Sequence, residues 1–217
     1  MKHAARLALC GLLGMTGGAL AQDRAPATPL ITHDPYFSVW SMSDKLTGSE
    51  TKHWTGSEQP MTGLARIDGK TYRFLGRNPE SVSEMKQVAH SISAPHTRYA
   101  FEQSGVRLEL AFFTPALPGD LDVLSRPVTY MTVTASATDS AKHKISVLFD
   151  VAPVIAVNDR SQKVTSFRQQ TEELADCLYL PESFSSNMRT ALSLGNSGYV
   201  SSAGSCRKFC TSSTFVL

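Results

Sequence analysis

Both tryptophans of the chain, Trp40 and Trp54, fall in one stretch, HDPYFSVWSMSDKLTGSETKHWTG (His33 to Gly56). With them come His33, His53 and the carboxylates of Asp34, Asp44 and Glu50. Two indole faces could make a stacking platform for a sugar or another ring, with the carboxylates supplying hydrogen bonds. A suitably spaced carboxylate pair can run glycoside hydrolysis. An amidohydrolase or glycosidase built here would draw on Asp34, His53 or Glu50. The opposing reading is architectural: Tyr36, Val39 and Trp40 dock into a core, and nearby polar groups keep the indole N–H bonded and tie down loops. Residue types alone favour architecture.

Other chemistry is thinly supported. SETK (Ser49 to Lys52) and SEMK (Ser83 to Lys86) match the serine-x-x-lysine pattern, which needs the serine at a helix start and the lysine one turn later. Neither stretch has a helical pattern, and neither SDN nor KTG accompanies them. His33, His53, His90, His96 and His143 are scattered, with no HExxH and no paired cysteines at zinc spacing in the body. There is no glycine-rich phosphate loop. No metal and no cofactor is expected.

The elements that must position these residues read as β-structure from Pro29 to about Val157. GLARIDGKTYRFLG places two short runs around Asp68-Gly69, a pair that closes two-residue hairpins. HTRYAFEQSGVRLELAFFTP repeats the arrangement around Ser104-Gly105. There Val106, Leu108, Leu110 and Phe112 alternate with Arg107, Glu109 and Ala111, so one face is buried. VTYMTVTA and KISVLFDV are two further strands, the second turning Ile145, Val147, Phe149 and Val151 inward. Proline-rich connectors such as TPALPGDLDVLSRP have no helical period. Many strands with little helix predict an all-β fold, an antiparallel β-sandwich of supersandwich type.

The two ends of the chain differ from this body. Lys2, His3 and Arg6 precede the apolar run LALCGLLGMTGGALA, a signal-peptide pattern over residues 1–21 with cleavage expected between Ala21 and Gln22. The run is too short to span a bilayer, which takes roughly 20 apolar residues. Export to the periplasm or medium is expected, with no membrane attachment after cleavage. The net charge of +2 includes the basic leader, so nothing points to nucleic acid. At the other end, Cys177 to Leu217 is rich in serine, has Glu182 as its one acidic residue and holds Cys177, Cys206 and Cys210. Three cysteines cannot all pair with one another. Neither strand nor helix period is clear, and a disordered or irregular tail over 174–217 is expected, read as out-of-frame translation beginning near Thr171–Asp176.

At the opening stretch the chain resembles a family. PLITHDPYFSVWSMSDKLTGSETKHWTG followed by GLARIDGKTYRFLG is similar to the N-terminal region of secreted glutaminases of the glutaminase A type. FFTPALPGDLDVLSRPVTYMTVTA, HKISVLFDVAPVIAVND and SQKVT are similar to the β-rich domain that follows it there. The resemblance divides the chain into an N-terminal segment, 22–85, and the start of the β-sandwich domain, 86–173. It implies a partner, a C-terminal helical catalytic domain of the same enzyme, and an activity, hydrolysis of L-glutamine to glutamate and ammonia. After RQQTEEL the resemblance stops, so no catalytic residue is carried over and the chain is expected to be truncated and inactive alone. Asp34, Trp40, His53 and Trp54 are then expected to line a substrate cleft or domain interface. A stand-alone module binding carbohydrate or peptide through Trp40 and Trp54 is the competing expectation.

Overall fold

A computed structural model describes residues 25–157 and 160–163, together with the backbone of four later strands. The expected signal segment, with Ala21 and Gln22, lies outside the described residues. The chain opens with β1 (Thr28–Ile31), β2 (Val39–Ser41) and β3 (Lys52–His53), which form a small antiparallel sheet in that order. Next come the hairpin β4 (Met61–Ile67) and β5 (Lys70–Leu75), then β6 (Lys86–Ser93), β7 (His96–Gln103) and β8 (Val106–Phe113). A single helical turn, α1 (Leu121–Leu124), interrupts the connector to β9 (Tyr130–Ala137) and β10 (Ile145–Val151). The later strands are β11 (Phe167–Gln169), β12 (Cys177–Tyr179), β13 (Ala191–Ser193) and β14 (Thr211–Val216). Of the tail expected to be irregular, only the last three of these are described, as backbone. Cys177 enters with β12, and Cys206 and Cys210 lie outside the described residues. No helix among the described residues is long and apolar enough to cross a membrane.

Both expected hairpins form, and the reason is local. Asp68 and Gly69 take φ of 49° and 88°, and Ser104 and Gly105 take 49° and 74°, the left-handed pair that matches the twist of adjoining strands. Ile67 then faces Lys70, and Gln103 faces Val106. In the first hairpin Gly63 is needed for a different reason: a methyl there would lie 2.6 Å from the tip of the Phe74 ring.

Two sheets face one another across the core. The larger has the order β11-β12-β13-β14-β9-β8-β7-β6, antiparallel throughout. The smaller has the order β10-β4-β5, so strands from the stretch 22–85 share a sheet with one from 86–173. The alternation in β8 is as expected: Val106, Leu108, Leu110 and Phe112 are buried. Met131 and Val133 of β9 and Ile145, Val147 and Phe149 of β10 join the same cluster. Phe74 of β5 meets Phe101 of β7 with ring centroids 5.9 Å apart, linking the sheets directly. Each fully buried side chain of this size contributes roughly 1.5–3 kcal/mol. Val151 is only half-buried, because the chain leaves the sheet there.

The register sorts the connections into two ends. Gln103, Val106 and Ala137 are aligned across β7, β8 and β9, so the turn at 104–105 and the loop at 138–144 share one end. The 68–69 turn joins them, since Asp68 N–H donates to the Lys144 carbonyl at 3.0 Å. His96, Phe113 and Tyr130 are aligned at the opposite end, where their rings stack in a row across three strands. That end carries the 94–95 turn, the long connector 114–129 and the loop 32–38.

Candidate functional site

The loop 32–38 brings three of the four candidate residues together. Asp34 Oδ1 accepts from Tyr36 N–H at 2.7 Å and its carbonyl accepts from Phe37 N–H at 3.1 Å, a tight turn that aspartate side chains favour. The turn presents the Pro35 carbonyl outward. Trp54 Nε1 donates to that oxygen at 2.8 Å and His53 Nε2 lies 3.0 Å from it. A carbonyl only accepts, so His53 carries its hydrogen on Nε2. Nδ1 is then the acceptor for the Thr55 hydroxyl at 2.8 Å, with Thr55 N–H at 3.3 Å. Both nitrogens of His53 are therefore occupied by structural contacts, and the ring leans on Trp54 at 5.5 Å between centroids.

Trp40 takes a separate position. It sits on β2 between Pro29 and Lys52, half-buried, with Nε1 donating to Ser38 Oγ at 2.9 Å. Of Tyr36, Val39 and Trp40, expected to dock into the core, Val39 is fully buried, Trp40 stays half-buried outside the core cluster, and Tyr36 needs correction. Tyr36 is 76% exposed, and its neighbour Phe37 goes inward instead, where it stacks on His33 at 5.0 Å. The Asp34 turn reverses the chain just there, so the inward direction falls one residue later.

The remaining carboxylate candidates hold other loops. Glu50 Oε1 accepts from Asn78 Nδ2 at 2.6 Å, and the Asp44 carbonyl accepts from Gln87 Nε2 at 2.8 Å. Buried Arg73 donates to the carbonyls of Thr47 and Gly76, and the Thr47 hydroxyl donates to Glu84 Oε2 at 2.6 Å. These contacts tie the 42–50 loop to the 76–87 loop. Neither Ser49–Lys52 nor Ser83–Lys86 lies on a helix, so their serine and lysine lack the one-turn spacing that chemistry requires.

A cavity of about 420 Å³ opens beside the loop 32–38, lined among others by Pro29, Leu30, Ile92, Pro95, His96 and Phe112. None of the four candidate residues lines it. Its rim is fastened by hydroxyls: Thr97 Oγ1 donates to the Pro29 carbonyl at 2.7 Å, and Thr129 bridges Thr114 Oγ1 at 2.8 Å and His33 Nδ1 at 3.0 Å. Burial pushes the His33 pKa below its ordinary value, against the pull of the Asp34 carboxylate. On the 114–129 connector, whose first residues Thr114 and Ala116 line the cavity, large apolar side chains stand in water. Leu117 is 54%, Leu121 74% and Leu124 44% exposed, and no residue of α1 is buried. Ile92 on the cavity wall is 47% exposed; Tyr36 stands exposed on the adjoining loop 32–38, and exposed Trp54, just after β3, is bonded to that loop's Pro35 carbonyl. Three leucines in one connector without a period were the available sign of this surface.

Parts of the chain are similar to known proteins. Residues 15–87 match a family described as a domain of unknown function (DUF4964), and residues 95–181 match another, a domain of unknown function (DUF5127). The chain is 26% identical over 165 residues to the protein named Glutaminase A of Aspergillus oryzae (strain ATCC 42149 / RIB 40). That alignment covers 71% of this chain and 24% of the relative, so the chain corresponds to about a quarter of the relative's length.

Proposed function

From its homology to the N-terminal region of Glutaminase A, we propose that this chain is an exported, non-catalytic β-sandwich portion of a glutaminase-like hydrolase. Its work is to seat the rest of a longer polypeptide on its open end, and the activity, hydrolysis of L-glutamine, belongs to the assembled protein. One observation carries the reading. Of the seven large apolar side chains left exposed among the described residues, all but Val88 lie on segments that belong to the end holding the cavity: the 32–38 loop and Trp54 bonded to it, the end of β6, and the 114–129 connector. Exposed apolar groups scattered singly are ordinary, whereas a gathered set marks an interaction surface. The occupied nitrogens of His53 and the turn-forming role of Asp34 support a structural part for the aromatic segment.

Two measurements on the purified chain test this. Ammonia release from L-glutamine is expected at the buffer background, and turnover above it would contradict a non-catalytic role. The chain is also expected to self-associate with rising concentration and to bind an apolar fluorescent dye. Both should be suppressed in Leu121→Asp/Leu124→Asp with an unchanged denaturation midpoint. A monomeric, dye-negative wild type would remove the docking surface. Saturable quenching of tryptophan fluorescence by an oligosaccharide or peptide, lost in Trp54→Ala, would favour a stand-alone binding module.

A further inference from the structure

The opposite end of the sandwich carries a cluster that the proposed function does not use. His143 is 8% exposed at its side chain, and carboxylates meet both of its ring nitrogens. Asp68 Oδ2 lies 2.6 Å from Nδ1, and Asp139 Oδ1 lies 3.0 Å from Nε2. Backbone amides fix both carboxylates: Lys144 N–H donates to Asp68 Oδ1 at 2.8 Å, and Ala141 N–H donates to Asp139 Oδ1 at 2.9 Å. Asp68 belongs to the β4–β5 turn, whereas Asp139 and His143 belong to the β9–β10 loop. The β7–β8 turn meets them with uncharged groups. Gly105 packs where a methyl would overlap the Asp139 carboxylate and lie 2.9 Å from His143 Nε2, and the Ser104 hydroxyl is engaged by Tyr72 at 3.1 Å. Lys70, the cation on the neighbouring strand, lies over the Tyr72 ring.

An ionised carboxylate only accepts, so two of them facing one imidazole need two N–H donors. Only the imidazolium has both. A neutral ring would set a lone pair against one of the carboxylate oxygens, with the ring buried and little water to intervene. We propose that Asp68, His143 and Asp139 form a protonation-dependent clasp, which fastens the 138–144 loop to the 68–69 turn while His143 donates from both nitrogens and loosens that loop when one proton leaves. The device is independent of any partner at the open end.

Donating to Asp68 and then to Asp139 pushes the His143 pKa above 6.5, while the same bonds hold both carboxylates below 3.8. A histidine raised on folding contributes stability that is fully present below 6.5 and is lost as pH rises through its folded value. The two depressed carboxylates contribute above 3.8 and lose that contribution as pH falls through their folded values. The clasp is therefore complete on the mildly acidic side of neutrality and opens with alkali.

The full chain, labelled at histidine, is titrated by NMR, with the His143 ring signal assigned by its loss in His143→Gln. Denaturant unfolding is followed in parallel by tryptophan fluorescence on both sides of that titration. The His143 signal is expected to titrate above 6.5, and the denaturation midpoint to fall as pH rises through it. Asp68→Asn and Asp139→Asn should each bring the titration back toward 6.5 and flatten the dependence. Asparagine suits the first site because it tolerates the left-handed backbone there. If His143→Gln does not fold, the signal moved by Asp68→Asn provides the assignment. A wild-type His143 titrating at or below 6.5, or a midpoint equal on both sides of the titration, would overturn the clasp.

Discussion

At one end of the sandwich, two-residue turns with left-handed backbone return β4 and β7 directly, and a buried histidine bonds the β9–β10 loop to the β4–β5 turn. At the other, the 114–129 connector runs long past a cavity, and its Leu117, Leu121 and Leu124 stand in water. The first end satisfies its groups internally and has little left to offer a partner. The second carries apolar surface that its own fold does not cover. Both are anchored in the same core, so under the proposed function stability and association would reside at opposite ends and be separately addressable.

Substitutions can break or sharpen that contrast. Phe101→Ala removes a fully buried ring that packs on Phe74 and should cost about 3–5 kcal/mol in chemical denaturation, loosening both ends together. Gly105→Ala acts on the tight-turn end alone. A side chain at φ of 74° that also meets the Asp139 carboxylate should cost about 2–3 kcal/mol, and the pH dependence of unfolding should weaken with it. Trp54→Phe keeps the exposed ring but drops the hydrogen bond to the Pro35 carbonyl, for a loss of about 1 kcal/mol. Leu121→Ser/Leu124→Ser should change stability by less than about 0.5 kcal/mol while reducing self-association in light scattering. Should that pair prove strongly destabilising, the open end is part of the core and the contrast fails.

What could be read from residues alone follows the same division. The tight-turn end was legible because Asp-Gly and Ser-Gly announce their own backbone geometry. The strands beside them alternate in a way that only a half-buried sheet requires. Strand β6 was missed, since seven of its eight residues are exposed and an edge strand of this kind has no buried alternation to display. The cavity was missed because its walls come from β1, the 94–95 turn and the end of β8, distant in sequence and ordinary in composition. The Asp34 turn presents the Pro35 carbonyl that His53 and Trp54 share, so these three lie together in the fold as they do in the sequence stretch. Trp40 was grouped with them by sequence proximity, yet its indole N–H bonds to Ser38 instead. The carboxylates of His143 escaped notice because the three residues belong to two separate connections.

Because Met61–Ile67 receives its second neighbour only from Ile145–Val151, the smaller sheet cannot be completed early in synthesis. Residues matching the first family must wait until most of those matching the second have left the ribosome. Closing so long a loop costs chain entropy before any contact rewards it, which favours slow and cooperative folding. A break between residues 87 and 95 would leave the β4–β5 hairpin as a two-stranded ribbon, marginal in water by itself. The two matched stretches are thus sequential in the gene but share one sheet, which neither completes without the other.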